Sequence, residues 1–273
     1  MIPAPFDYEV AATVDDAIRL LGSSEDAKLL AGGHSLLPLM RLRFARPDLL
    51  VDIGRLSELS YVRDDGDEVA VGALTRHHDV ATSDLLMSDC RIVAETARQI
   101  GDAQVRHRGT IGGSVAHGDP ASDFPTVLVA LEARLVARGS SGERTVPAGE
   151  FFTGFLETAL AGDEVLTEIR VPKLDGGCSY VKFNRRAQDW ATVAVAAVRS
   201  NVGARVALGN MGPTPLRATG VEEALAAGAD TATAAARASE GTSPPSDTNG
   251  SADYRRHLAQ VLTSRALEQA LAR

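Results

Sequence analysis

The sequence predicts an α+β protein in two unequal parts, and three observations lead there. Through residue 176, short apolar runs alternate with amphipathic helical patterns. From Cys178 the pattern changes to long alternating strands joined by short turns, "CSYVKFNRR", "TVAVAAVRS" and "ARVALGNMG", as expected of an antiparallel meander. Between them "KLDGG" marks a boundary, so a smaller domain of residues 177–273 is expected to follow a first domain of residues 1–176.

The elements follow in order. "TVDDAIRLLGS" predicts a short helix with Thr13 as its cap, Asp15 and Asp16 at its positive end and Gly22 at its stop. "AKLLA" predicts a brief buried strand. Ser35 is placed to cap a helix through "LPLMRLRF" that Pro47 would end, and "DLLVDI" returns as a strand. "EVAVGAL" reads as a strand, "TRHHDVATSDLL" as helix starts and "CRIVAETARQI" as an amphipathic helix. Past a loop beginning at Gly101, "SDFPTVLVALEA" predicts a buried helix. "RLVARG" and "ERTVP" predict a hairpin around "SSG", and "DEVLTEIRVP" a strand closed by Pro172. After the meander, "GVEEALAAG" is an alanine-rich helical piece, "SEGTSPPSDTNGSA" a linker of disordered composition, and "DYRRHLAQVLTSRALEQAL" a final helix.

Composition excludes several classes of function. With 273 residues, 44% of them hydrophobic and 23% charged, the chain has the material for a substantial core. Its formal charge of −8, without a basic run, argues against nucleic acid as a partner. Cys90 and Cys178, far apart in sequence, argue against a disulfide framework and fit a reducing compartment. Two thiols also cannot ligate an iron–sulfur cluster, which takes about four. The N-terminus lacks a basic region followed by an apolar segment, and no window approaches the roughly 20 apolar residues of a membrane span. A cytoplasmic location is expected.

Two glycine pairs carry the functional signal. "LLAGGHSLLPLM" places Gly32 and Gly33 in a strand-to-helix connection, and "RGTIGGSVAHGDPASD" places Gly112 and Gly113 in a second polar loop. Glycine costs about 0.5–1 kcal/mol against alanine in regular structure, so each pair needs a reason: a tight connection, or a ligand that touches backbone. Successive N–H groups free of Cβ hindrance can form an anion nest, and a strand-to-helix loop adds the helix N-terminus to the same field. Two such loops, flanked by Ser35, Thr110, Ser114 and Asp123, point to one shared pyrophosphate. No G-x-x-x-x-G-K-[ST] loop occurs, and no G-x-G-x-x-G follows a strand.

The segments "AGGHSLLPLMRLR", "TIGGSVAHGDPASD", "YVKFNRRAQDWATV" and "ADYRRHLAQVLTSRAL" run nearly end to end in an order that resembles the FAD-binding medium subunit of the molybdenum hydroxylases. That family includes xanthine dehydrogenase and aerobic carbon monoxide dehydrogenase, and the resemblance is nearer to the latter's medium chain. It implies a two-part FAD-binding domain of the PCMH type, with subdomains of about residues 1–55 and 56–176, then a C-terminal domain of carbon monoxide dehydrogenase flavoprotein type. By the resemblance, Ala31, Gly32, Gly33, His34, Ser35 and Leu36 would wrap a non-covalent FAD from one side, and Thr110, Ile111, Gly112, Gly113 and Ser114 from the other. Ala116, His117 and Asp123 would lie along the ribityl and adenosine part, Leu166 beside the adenine or flavin ring, and Lys182 and Trp190 near the isoalloxazine.

Each of these residues also has a plain structural use. His34 and His117 could bond loop backbone, Asp123 could cap the helix that follows it, and Trp190 could be core. "RHR" at Arg106–Arg108 could face phosphate, another subunit or solvent. No spacing supports a metal site. No nucleophile motif and no carboxylate pair suited to acid–base work occurs, so the chemistry is expected to be the cofactor's.

The resemblance further implies two partner chains, a small one with two [2Fe-2S] clusters and a large one with the molybdenum cofactor, arranged as a dimer of heterotrimers. The chain itself would receive electrons and pass them to an external acceptor. Carbon monoxide, a purine and an N-heterocycle stay open as substrates of the complex. A free-standing flavin oxidase or reductase and a non-catalytic nucleotide-binding module are the rival readings.

Overall fold

Parallel strands cannot be joined by tight hairpins, and the first sheet accordingly has helices between its strands. The computed structural model describes residues 2–200 and 203–272. It begins with β1 (Asp7–Val10), α1 (Val14–Leu21), β2 (Ala27–Leu30), α2 (Leu36–Leu42) and β3 (Leu49–Asp52). The strands form a parallel sheet in the order β1-β3-β2. Helix α1 forms as its sequence predicts: the Thr13 hydroxyl accepts from the Asp16 amide, and Gly22 ends the helix. Its apolar face, Val14, Ala17, Ile18 and Leu21, packs with Val51 of β3 and with Ile53, which follows that strand. Helix α2 departs from expectation. It stops at Leu42, where Arg43 enters the left-handed region at φ 61° and turns its amide onto the Leu39 and Met40 carbonyls, so Pro47 is not what ends it.

A 3-10 turn at Ser57–Leu59 leads into β4 (Val62–Asp65) and β5 (Glu68–Gly72). Six short helices follow: α3 (His77–Thr82), α4 (Asp84–Asp89), α5 (Arg91–Arg98), α6 (Ala103–Arg108), α7 (Ile111–His117) and α8 (Asp123–Leu131). The hairpin β6 (Arg134–Gly139) and β7 (Gly142–Pro147), the turn α9 (Ala148–Phe151), the small pair β8 (Phe152–Gly154) and β9 (Glu157–Thr158), and β10 (Val165–Pro172) complete this part. Its antiparallel sheet runs β4-β5-β10-β6-β7. The second glycine segment is therefore not a loop. Gly112 and Gly113 lie in the first turn of α7, because the Thr110 hydroxyl caps that helix by accepting from the Gly113 amide at 3.1 Å. Both cysteines are buried, free thiols in the core of this region, and burial pushes both up from the ordinary thiol range.

The last sheet is β11 (Cys178–Phe183), β12 (Val193–Ser200), β13 (Gly203–Gly209) and β14 (Leu216–Arg217), antiparallel in that order. Helices α10 (Thr219–Ala226), α11 (Thr231–Ala235) and α12 (Ala252–Leu271) follow. Strand β12 does not alternate between apolar and polar, since Val193–Val198 is buried throughout. Val193, Val195 and Ala197 pack with Leu258, Leu262 and Ala266 of α12, whereas Ala194, Ala196 and Val198 join the core that contains Phe124 and Leu128 of α8. A strand covered on both faces reads as a continuous apolar run.

The segment of disordered composition has defined partners. The Ser243 amide donates to the Met211 carbonyl at 2.9 Å, and the Asp247 carboxylate accepts from Arg255 at 2.8 Å. Arg255 is fully buried and also donates to the Thr192 carbonyl. A buried guanidinium needs an anion, and this segment supplies it. Among the described residues, no helix is long and apolar enough to cross a membrane.

Candidate functional site

The three sheets meet around a cleft of about 790 Å³, within the range of about 300–1,000 Å³ typical of cofactor pockets. One wall is the turn Ala31, Gly32, Gly33, His34, Ser35 and Leu36 between β2 and α2. The opposite wall carries Thr110, Gly112, Gly113, Ser114, Ala116 and His117 of α7 and its cap. Asp123, Leu166 and Lys182 line the interior, and Trp190 stands at the rim, 52% exposed, so it is not a core residue. Ile111 alone of the expected residues does not reach the cleft; its side chain is fully buried in the core.

The glycines answer two different needs. A Cβ on Gly32 would collide with the Arg108 carbonyl oxygen and stand 2.9 Å from Gly109 Cα, so the first turn rests backbone to backbone on the segment that leads into α7. A Cβ on Gly112 would lie 2.6 Å from the Ala73 carbonyl oxygen, which makes Gly112 the seat of α7 against the end of β5. These two residues hold the walls together. Gly33 adopts φ +79°, a conformation that side chains disfavour. Gly113 is exposed, and a Cβ there would meet only the Thr110 hydroxyl, at 2.7 Å. Gly113 is thus the glycine whose missing side chain keeps open space in the cleft.

Backbone donors are distributed just as unevenly. Along α7 they are engaged: Ile111 N–H donates to the Thr75 carbonyl, Gly112 N–H to the Ala73 carbonyl and Gly113 N–H to the Thr110 hydroxyl. In the first turn, among the described residues, nothing accepts from the amides of Gly32, Gly33, His34, Ser35 or Leu36. Ser35 precedes α2 without making a side-chain cap bond. Consecutive free donors at a turn are a nest for an anion. The first turn supplies the N–H groups and the second segment supplies the clearance.

Asp123, on the first turn of α8, is nearly buried and is not that helix's cap, a position held by Ser122. Its carboxylate accepts from the Tyr180 hydroxyl at 2.7 Å and pairs with Lys182 Nζ at 3.0 Å, both side chains of the pair being almost fully buried. Tyr180 and Lys182 are two positions apart on β11 and so share one face of the strand. Burial pushes the Asp123 carboxyl up from the ordinary range, against the opposing pull of Lys182 and Tyr180. Tyr180 escapes a reading of the sequence because nothing local marks its acceptor, 57 residues away.

His77 is a second residue the sequence does not reveal. It lines the cleft at 4% exposure, its amide donates to the Gly109 carbonyl at 3.0 Å, and its ring lies where a Cβ on Gly109 would be. Desolvation, with smaller contributions from His34, Arg106 and Arg76, holds its pKa down at about 4, against an ordinary 6.5. A pKa lower in the folded than in the unfolded chain means stability complete above pH 6.5 and lost as pH falls toward 4. The cofactor-free chain should lose about 3 kcal/mol over that window through His77. Urea unfolding of the wild type and of His77→Phe measures this, and equal acid slopes would refute it.

The remaining candidates are placed plainly. His34 is exposed on the cleft wall, and the partly buried His117 is held below the ordinary histidine range by desolvation. "RHR" does not line the cleft; Arg106 donates to the Ile100 and Gly101 carbonyls. The hairpin of β8 and β9 contributes Thr153, Glu157 and Thr158, which the sequence reading omits. Among the described residues, no cluster of His, Cys, Asp and Glu could hold a metal ion.

Residues 4–174 match the family model for the FAD binding domain in molybdopterin dehydrogenase, and residues 178–270 that for the CO dehydrogenase flavoprotein C-terminal domain. The chain is 44% identical to the carbon monoxide dehydrogenase medium chain of Hydrogenophaga pseudoflava, covering 100% of this chain and 99% of that one. It is 39% identical to the glyceraldehyde dehydrogenase medium chain of Sulfolobus acidocaldarius, covering 98% and 99%. Its fold is similar to that of a chain in the solved carbon monoxide dehydrogenase from Hydrogenophaga pseudoflava that lacks the Mo-pyranopterin moiety, with TM-score 0.94, 45% identity and coverage of 99% and 98%.

Proposed function

The chain belongs to the family of FAD-binding chains of molybdopterin dehydrogenases, and from that premise we propose that it is the electron-transfer subunit of a molybdenum hydroxylase. It takes electrons from the [2Fe-2S] clusters of a small partner chain, in a complex whose large chain holds the molybdenum cofactor, and passes them to an external acceptor. The assembly is a dimer of heterotrimers. The division of the chain at about residues 55 and 176 belongs to the same proposal.

The observation that carries the reading is the cleft itself, lined both by a turn whose amides have no acceptor and by a glycine with open space beside it. A dinucleotide fits this donor set. The amides of Gly32–Leu36 would hold the diphosphate, with Gly113 giving it room on the other side. Asp123, fixed by Tyr180 and Lys182, would present a buried polar edge to the ribityl and adenosine part, and Leu166 an apolar one to the adenine or flavin ring. Lys182 and Trp190, which also line the cleft, would lie toward the flavin. When bound, FAD supplies both one- and two-electron chemistry, which suits a junction between clusters and an acceptor.

The purified chain should bind FAD and show the visible absorbance of oxidised flavin. Carbon monoxide, a purine or an N-heterocycle should not bleach that absorbance in the isolated chain, and each complex's own substrate should bleach it once the two partner chains are added. Reduction of the isolated flavin at the rate of the whole complex would overturn the proposal and favour a free-standing enzyme. A colourless chain would favour a plain nucleotide-binding module.

A further inference from the structure

We propose that Leu156, at the tip of the β8–β9 hairpin, is a cofactor-binding residue whose side chain packs on a planar aromatic ring of the bound dinucleotide. The inference rests on the flavoprotein reading and adds to that site an apolar contact from outside both glycine segments. Leu156 lines the cleft and is 40% exposed, so it has apolar surface to offer a ligand there. The hairpin that carries it is seated on the end of α7: a Cβ on Gly118 would stand 3.2 Å from both the amide nitrogen and the carbonyl oxygen of Glu157. The tip therefore stands beside the helix that opens with Gly113.

The backbone at this tip is costly. Phe155 and Leu156 form a two-residue connection between Gly154 and Glu157, which pair across the hairpin, and Leu156 takes φ +58°. Glycine or asparagine is the usual occupant of a second turn position with positive φ, because the left-handed region crowds a Cβ. Among the described residues, Arg43, Glu132, Gln188 and Asn210 also adopt it. Arg43 and Glu132 use it to close α2 and α8, and Asn210 is a residue type that tolerates it. Leu156 and Gln188 are the two of the five that line the cleft. No packing within the chain offsets the cost at Leu156, which joins none of the hydrophobic clusters, whereas Ala159 and Leu160 just beyond it pack against the core that contains Phe124. Its side chain is left for the cleft. Leucine carries neither donor nor acceptor, so it would desolvate a diphosphate, a ribose or a ribityl chain without replacing the lost hydrogen bonds. The two ring systems of FAD, adenine and isoalloxazine, are the parts whose faces match it.

The test uses the full chain, stripped of cofactor, with Leu156→Asn and Leu156→Met. Asparagine accepts the left-handed region and removes the apolar surface, whereas methionine keeps that surface. In Leu156→Asn two effects of opposite sign are expected. The cofactor-free chain should melt about 2–4 °C above the wild type as backbone strain is relieved, and FAD should bind about 3- to 10-fold more weakly as the ring contact is lost. Leu156→Met should bind FAD within about twofold of the wild type. Unchanged FAD affinity in Leu156→Asn would overturn the assignment, as would a loss that methionine shares, or one accompanied by a lower melting temperature, which would mark a role in folding. ADP and FMN separate the two rings: weakening of one alone identifies adenine or isoalloxazine, and weakening of both or of neither overturns the contact. The wild type gives an independent reading by methyl NMR. The Leu156 methyl resonances, identified by their absence from the spectra of the variants, should move under the ring current when FAD binds, and unmoved resonances overturn the proposal. A wild-type chain that binds no FAD would overturn the flavoprotein reading and this assignment with it, whereas equal binding by wild type and Leu156→Asn would sink this assignment alone.

Discussion

Gly32→Val is expected to produce a chain that no longer holds FAD and melts well below the wild type, whereas Gly113→Ala should fold normally and lose affinity alone. The contrast comes from what stands beside each glycine. At Gly32 the added carbon would run into the backbone of Arg108 and Gly109, which cannot swing aside as a long side chain can. The two walls must then part, at a cost of about 1–3 kcal/mol or more for overpacking. The free amides of Gly32–Leu36 would be displaced from α7 at the same time. At Gly113 the added carbon meets only the Thr110 hydroxyl, so the worst structural consequence is a weakened cap on α7, worth about 1 kcal/mol. The space it fills is space in the cleft. Thermal melting and FAD titration of both variants check the pair, and equal flavin occupancy in folded Gly32→Val would refute the account. Gly33 is a poor place for this test, because its positive φ would add backbone strain to any effect on binding.

Lys182→Met should cost about 3–5 kcal/mol at neutral pH, the usual penalty for removing one member of a buried ion pair. Asp123 would then keep Tyr180 as its partner but lose its counter-charge in a site that already disfavours the carboxylate. The variant's pH dependence follows from that sign. A carboxyl whose folded pKa lies above its unfolded value contributes stability at low pH and loses it as pH rises through the folded pKa. The difference between Lys182→Met and the wild type should therefore shrink on acidification, as Asp123 takes up a proton, and widen toward alkaline pH. The double variant Asp123→Asn with Lys182→Met should recover most of the loss, since the amide oxygen can still accept from Tyr180. Urea unfolding across pH measures all three chains. A loss in Lys182→Met that does not vary with pH would show that packing, not charge, holds the site.

Much of this protein is legible from local pattern. The helix α1 with its Thr13 cap, the hairpin of β6 and β7, the buried helix α8 and the order of the C-terminal strands all follow from periodicity, caps and turn residues within a few positions. Both glycine pairs are also visible as anomalies, and both line one cleft. What they are for is not visible. Gly32 and Gly112 are required by contacts with Arg108 and Ala73, partners far away in the chain, so the same two letters conceal close backbone approach in one residue and open space in the next.

The α+β class, the family and the two glycine segments, which line one cleft, are all legible along the chain, because periodicity, capping chemistry and motif order are properties of sequence neighbours. The tertiary structure alone decided which amides stay free, that the second pair sits in a helix, that Tyr180 and Lys182 converge on Asp123, and that His77 is sealed against Gly109 without a partner. Those are non-local facts. A donor is free or engaged, and a charge costly or compensated, according to what the fold brings within about 3 Å of it, and no window of sequence contains that information.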